Sequence, residues 1–400
     1  MKALFLTNEY PPHIYGGAGV HVGYLSRELA KTMDVEVRCF GDQNTKRGRL
    51  KIKGYEEPNT ARWTCPKKLA SAFSAVRRCV DFNTTQIDAD LVHCHTWYSH
   101  FGGILAKKNY GIPLVITTHS LEPLRPWKRE QLGGGYDFSR WVEKTAIGMA
   151  DGIIAVSRET KRDIERLFEV DPARVHVIHN GIDLDEYRKV QSTTALKRHG
   201  INPAKPYLLF VGRITRQKGI IYLVRAIEFM DRDFQIVLCA GAPDTKEIAA
   251  EMNQALATAK KKRSDIFWIE EMLDRKAVVE LYSHAAVFCC PSIYEPFGII
   301  NLEAMACGTA VVASAVGGIK EVVVDGETGF LVPLKQMKES PFAPANPEKF
   351  ARDLATRINQ LMQDRPMREK FGRAGRERAQ KFFSWSAIAR KTEALYQSLF

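Results

Sequence analysis

The chain has 400 residues, 58 of them basic and 46 acidic, for a formal net charge of +12 at pH 7. At 45% hydrophobic and 26% charged it has the make-up of a globular protein, neither disordered nor membrane-embedded, and it exceeds the roughly 250–300 residues at which one core stops growing. The positive excess suits a polyanion or small anionic substrates, but no basic tract carries the interleaved aromatics of a nucleic-acid surface, so DNA and RNA are not expected as partners.

Short β-rich apolar runs alternate with helical patterns throughout, which predicts parallel sheets with helices on both faces. In the first half the expected strands are Ala3–Thr7, Val35–Phe40, Leu91–His95, Leu114–Thr118, Gly152–Val156 and Val175–His179. The first stops at Thr7-Asn8-Glu9 and reads as a buried strand, not the apolar centre of a signal peptide. No apolar run is long enough to span a bilayer, and the eight cysteines lack any C-x-x-C pair, as expected of reduced core thiols. A cytoplasmic protein without a membrane partner is expected.

Gly16-Gly17-Ala18-Gly19 follows the first strand and precedes a helix, so its amides can approach a phosphate or a sugar closely. It lacks full G-x-G-x-x-G spacing, which argues against a dinucleotide enzyme. His93 and His95 share one face of a strand, but no third and fourth ligand follow at metal spacing, and His95 reads instead as lining a cleft. The Asp-x-Asp pairs at Asp88/Asp90, Asp183/Asp185 and Asp231/Asp233 fall at turns or strand edges and are explained by turn chemistry. No metal and no cofactor are expected. His119 ends a strand, where a lone histidine is more often structural than catalytic.

Asn180-Gly181-Ile182-Asp183 is a turn signal, and residues 184–206 are polar with two prolines. The expected domains are therefore 1–185, 186–383 and a final amphipathic helix over 384–400, with Ile388, Thr392, Leu395 and Leu399 on one face. The second half repeats the strand pattern at Tyr207–Val211, Phe234–Cys239, Ile266–Ile269, Ala286–Cys290, Ala310–Ala313 and Gly329–Val332. Its first strand runs into Gly212-Arg213-Ile214-Thr215-Arg216-Gln217-Lys218-Gly219, a glycine turn with cations ahead of a helix. Arg213 and Lys218 suit a diphosphate that gains charge as it leaves, the planar fork of one complementing the compact charge of the other.

Pro291-Ser292-Ile293-Tyr294-Glu295-Pro296-Phe297-Gly298-Ile299-Ile300-Asn301-Leu302-Glu303 places two carboxylates about a helix start. The amides near Gly298, Ile299 and Ile300 form an anion seat. Glu295 precedes the helix and Glu303 lies about one turn in, roughly 6 Å along the axis, so they grip different parts of one ligand. Hydroxyls flanking a diphosphate fit both, as in a nucleotide sugar. The pair also fits a glycoside hydrolase, but that reading leaves Arg213 and Lys218 without a role.

The Gly212-Arg213 to Lys218-Gly219 turn and the E-x7-E pair resemble the retaining GT-B glycosyltransferases of family four. The stretches from Glu9 to Val22 and from Thr118 to Lys128 resemble the actinobacterial-type glycogen synthases, which use ADP-glucose and in some members build maltose 1-phosphate. The resemblance implies two Rossmann-like, doubly wound parallel-sheet domains facing a cleft, with the last helix crossing back to the first domain. It implies that His119, Arg213, Lys218 and Glu295 are catalytic, and that Gly16, Gly17, Phe297, Gly298, Ile299, Ile300 and Glu303 help bind the donor, ADP-glucose or UDP-glucose. Glycogen synthase acting on an α-1,4-glucan is the expected function. The alternative acceptor is glucose 1-phosphate; a reading of another class is a non-catalytic nucleotide-sugar or polyanion binder. For the acceptor, His95, Arg125, Trp127, Lys128 and Tyr136 are the candidates, the aromatics by stacking on a glucan and the cations by pairing with a phosphate.

Overall fold

The computed structural model describes residues 1–241, 243–339 and 342–400. The chain forms two compact units, Met1–Gly181 with Trp385–Phe400, and Ile182–Ser384.

In the first unit the strands are β1 (Lys2–Thr7), β2 (Asp34–Phe40), β3 (Asn44–Arg47), β4 (Leu50–Tyr55), β5 (Leu91–His95), β6 (Leu114–Thr118), β7 (Gly152–Ala155) and β8 (Val175–Val177). They form one sheet in the order β3-β4-β2-β1-β5-β6-β7-β8, parallel except that β3 runs against β4. Buried side chains alternate between the two faces, Ala3 and Phe5 on one and Leu4 and Leu6 on the other, which is why the runs read as continuously apolar. The β3–β4 hairpin, turning at Gly48 with φ +56°, was not among the expected strands. Its edge strand is wholly exposed and polar, so it carries no burial pattern, and Lys46 and Arg47 protect the open edge.

In the second unit β9 (Tyr207–Arg213), β10 (Gln235–Gly241), β11 (Ile266–Ile269), β12 (Val287–Cys290), β13 (Ala310–Ser314) and β14 (Gly329–Val332) pair in the order β11-β10-β9-β12-β13-β14, all parallel. The order reverses beside β9 and β12, and the Arg213–Lys218 turn and the Glu295–Glu303 segment follow those two strands. A doubly wound sheet binds ligands at such a switch point. Among the described residues no helix is long and apolar enough to cross a membrane.

The chain enters the second unit at Ile182 and leaves it after Ser384, four residues before the expected boundary at 185 (185 − 181). The reason is local: the Ile182 amide donates to the Phe383 carbonyl at 2.7 Å and Ile182 pairs with Ser384, so the two crossings lie side by side. Past them the helix Trp385–Gln397 packs into the core of the first unit through Trp385, Ile388, Ala389, Leu395 and Tyr396, against Phe5, Val22, Val115 and Ile154. Gly181 allows this docking, because a Cβ there would stand 2.5 Å from the Trp385 ring, itself 5% exposed and closely packed. Gly181→Ala should therefore destabilise the first unit by about 1–3 kcal/mol, the usual cost of overpacking. Denaturant unfolding checks this, and an unchanged midpoint would mean the final helix is not held there.

Candidate functional site

In the second unit two loops carry the expected donor-site residues, and they are tied to each other. Strand β9 ends on Arg213, and the loop after it reaches the helix Ile220–Ala226 through Gly219, whose φ is +62° and whose Cβ would lie 2.1 Å from the Pro291 carbonyl oxygen. Only glycine fits there. The Ile293 amide donates to the Gln217 carbonyl at 2.9 Å, and Lys218 Nζ meets Glu295 Oε2 at 2.7 Å with both side chains largely buried. Burial works against the charge on Lys218, but the Glu295 carboxylate outweighs it and raises the lysine pKa. Ser292 Oγ also donates to Glu295 Oε2, at 3.2 Å. Arg213 Nη1 pairs with Asp244 Oδ1 at 2.7 Å.

Gly298, with φ +99°, precedes the helix Ile299–Ala306. The amides of Ile299 and Ile300 have no hydrogen-bond partner among the described residues, as a helix start leaves them. Phe297 is buried and meets Phe383 edge to face, so it anchors the loop. One turn into the helix, Glu303 Oε2 accepts from the Tyr282 hydroxyl at 3.0 Å, and Tyr187 also hydrogen-bonds this carboxylate. Burial raises the Glu303 pKa against those two hydroxyls and Arg275.

Several contributors escaped the sequence reading. Gly317 and Gly318 lie against the carbonyls of Glu295 and Pro296, at 2.0 and 2.4 Å for a hypothetical Cβ, and the Gly318 amide donates to the Glu295 carbonyl at 3.0 Å. The signal was a glycine pair just after a strand. Asn301 is fully buried beneath Gly298, with neither side-chain polar atom partnered among the described residues. Tyr282 and Tyr187 gave no signal, since they lie 21 and 116 residues before Glu303 (303 − 282 and 303 − 187).

In the first unit, the Gly16-Gly17 loop opens the helix Gly17–Leu29, and the amides of Tyr15 and Gly16 donate to Glu9 Oε2 at 2.9 and 2.7 Å. A carboxylate of this chain thus accepts from amides of the loop expected to approach a phosphate or a sugar. His119 follows β6 and its Nε2 lies 3.0 Å from His95 Nδ1, while His21 Nδ1 lies 2.7 Å from Asn180 Oδ1. His93 joins Tyr396 and Thr117 at 2.5 and 2.7 Å, linking β5 to the final helix. Burial lowers the pKa of each of these histidines, that of His21 to about 4, so the rings are neutral at pH 7.

The proposed acceptor segment is less open than its sequence implies. Trp127 and Tyr136, expected as stacking faces, are 5% and 3% exposed. They serve as core anchors instead, and the Tyr136 hydroxyl donates to the Glu122 carbonyl at 2.7 Å. Arg125 Nη1 donates to Ser120 Oγ and Glu122 Oε1, while its buried Nε has no partner among the described residues. Lys128 Nζ donates to Gln131 Oε1 at 2.8 Å. Beneath them Glu143 accepts the Glu122 amide at 2.9 Å, and burial together with Glu122 raises its pKa.

Residues 15–186 match the family model described as Glycosyltransferase Family 4, and residues 191–341 that described as Glycosyl transferases group 1. The chain is 44% identical over 403 residues to the alpha-maltose-1-phosphate synthase of Mycolicibacterium smegmatis, covering all of both chains. It is 33% identical to D-inositol 3-phosphate glycosyltransferase 2 of Catenulispora acidiphila, over 95% of this chain and 90% of that one. Among solved structures, sucrose-phosphate synthase of Thermosynechococcus elongatus superposes with a TM-score of 0.82 at 25% identity, over 100% and 99% of the two chains. The catalytic domain of starch synthase IV of Arabidopsis thaliana, bound to ADP and acarbose, gives 0.74 at 18% identity over 99% of both and speaks for the fold alone. The expectation of a glycogen synthase is overturned, because the full-length relatives at 44% identity are named as synthases of a sugar phosphate, not of a glucan.

One buried histidine outside these clusters makes a stability prediction. His100 has both ring nitrogens unpartnered among the described residues, and burial lowers its pKa from 6.5 to about 3. As pH falls below the unfolded value, the unfolded chain takes up a proton that the folded one refuses, so stability declines by about 1.4 kcal/mol per pH unit. His100→Leu should lose about 1–2 kcal/mol less than the parent between pH 6.5 and 5 by denaturant unfolding; parallel losses would show that His100 is not held neutral.

Proposed function

Since this chain belongs to glycosyltransferase family 4, with the GT-B fold of two Rossmann-like units, we propose that it transfers glucose from a nucleoside diphosphate glucose to glucose 1-phosphate, releasing maltose 1-phosphate and the nucleoside diphosphate. The observation that carries this reading is the 44% identity, over the full length of both chains, to enzymes named for that product. ADP-glucose is the favoured donor.

On this reading the second unit holds the donor. Lys218, Arg213 and the amides of Ile299 and Ile300 take the diphosphate; Glu295 accepts from glucose hydroxyls and Glu303 from the ribose. As the bond from the anomeric carbon to the β-phosphate oxygen breaks, negative charge grows on the diphosphate, and preorganised donors stabilise it more in the transition state than in the ground state. The acceptor hydroxyl forms the new bond on the same face, its proton passes to the departing phosphate oxygen, and the α configuration is retained. In the first unit, Arg125 is the cation best prepared for the acceptor's phosphate, since its guanidinium is oriented by Ser120 and Glu122.

Two measurements test the reading. Purified protein given ADP-glucose or UDP-glucose, with glycogen and glucose 1-phosphate offered separately, should yield maltose 1-phosphate only from the latter; incorporation into glycogen alone would overturn it. Lys218→Ala should cut kcat by about 10²–10³-fold, the cost of removing one transition-state donor, and unchanged turnover would remove Lys218 from the mechanism.

A further inference from the structure

We propose that His21, His95 and His119 form a binding site for one transition-metal cation of the zinc class, and that filling it suppresses the transferase. The three rings come from separate elements: the helix Gly17–Leu29, the end of β5 and the residue after β6. One nitrogen from each lies within 4.8 Å of the others. Their ring centroids are 5.6, 4.8 and 5.3 Å apart. Three imidazoles on a tetrahedral ion with bonds of about 2.0–2.1 Å have centroids roughly 5 Å apart, so small ring rotations suffice.

Two features beyond proximity point to a ligand. The short contact from His21 Nδ1 to Asn180 Oδ1 assigns the ring hydrogen to Nδ1, because an amide oxygen only accepts, and leaves Nε2 with a bare lone pair. That Nε2 is buried with no partner among the described residues, and the His21 side chain is 1% exposed. An orphaned buried acceptor costs about 1–3 kcal/mol, which a metal bond removes. A ring whose second nitrogen donates to a fixed oxygen is the usual arrangement of a metal-bound histidine.

His95 and His119 now share one hydrogen across their 3.0 Å contact. On metal binding that hydrogen moves to the outer nitrogen of its own ring, so two lone pairs face the ion and no net proton is lost. Neutral imidazoles favour zinc, copper or nickel over magnesium or calcium, and three of them leave a fourth position for water. His119 is half-buried where the other two are buried, so the ion enters past it. The inhibitory part rests on the proposed transferase reading and on the catalytic role that the family resemblance implies for His119; the binding part does not.

The test is a titration of EDTA-treated full-length protein carrying Cys65→Ser, which removes the least buried thiol. Co²⁺ is the probe. The expected result is one Co²⁺ per chain with the visible absorption of a four-coordinate ion, displaced by Zn²⁺. His21→Phe should weaken binding roughly 100-fold and Asn180→Ala about 10-fold, as loss of a ligand and of its orienting partner would. His13→Ala, at the exposed His13–Asp42 pair, should change nothing. Circular dichroism establishes that each variant is folded. No stoichiometric cobalt spectrum, or unchanged affinity in both His21→Phe and Asn180→Ala, overturns the site. Added Zn²⁺ should abolish glucosyl transfer by the parent, reversibly with EDTA, and spare His21→Phe; full turnover with the site loaded overturns the inhibitory part. A metal-free protein that transfers no glucose would sink the transferase reading and leave the cobalt titration readable.

Discussion

The contact between Lys218 and Glu295 organises the end of the second unit where the expected donor-site loops lie. Two loops that follow neighbouring strands meet there, and the ion pair links them together with the Ile293–Gln217 backbone bond and the close approach of Gly219 to Pro291. Each link constrains the others. Any side chain at 219 would push the loops apart and lengthen the pair, and without the pair a largely buried ammonium would lose its counter-charge. Removing one partner of a buried pair typically costs about 3–5 kcal/mol, mostly because the remaining charge is left uncompensated. Gly317 and Gly318 extend the same logic to a third loop, packed so closely on the carbonyls of Glu295 and Pro296 that neither tolerates a Cβ.

What the sequence revealed follows from which physical signals are local. All twelve expected strands exist, because a strand buried on both faces shows as an uninterrupted apolar run such as Leu208-Leu209-Phe210 or Val311-Val312. The missed hairpin has a wholly exposed edge strand, and its second strand buries only Leu50 fully, so no continuous apolar run marked it. The same division holds at the candidate site. Gly219, Gly298, Lys218 and Glu295 lie within two short motifs whose spacing has local meaning. The partners that set the chemistry of the neighbouring candidates, Asp244 for Arg213 and Tyr282 and Tyr187 for Glu303, are chosen by the fold across tens of residues. The histidines show both sides: His95 and His119 close neighbouring strands, but the third ring of the cluster, His21, comes from a helix more than seventy residues before His95 (95 − 21 = 74). A search for metal ligands by spacing alone could not include it.

In each unit a carboxylate of the chain meets one of the expected anion-binding groups, while the amides of Ile299 and Ile300 have no partner among the described residues. Glu9 accepts from the amides at the start of one helix, and Glu295 neutralises the lysine beside another. This follows from the cost of leaving such groups unpaired away from water: bare amides and a bare ammonium would each lose their hydration without compensation. It also changes what the sequence alone implied about charge. A lysine already paired with a carboxylate presents little net positive charge to an approaching diphosphate, so on the proposed reading ground-state affinity must come largely from Arg213 and the amides of Ile299 and Ile300. The lysine's contribution grows later. As the sugar leaves, the phosphate oxygen gains charge and competes better with Glu295 for the ammonium hydrogens, of which there are three on a flexible stem. An interaction that strengthens only as charge develops lowers the barrier without deepening the substrate complex. The ion pair that holds the loops together would therefore also keep Lys218 from binding the substrate too tightly.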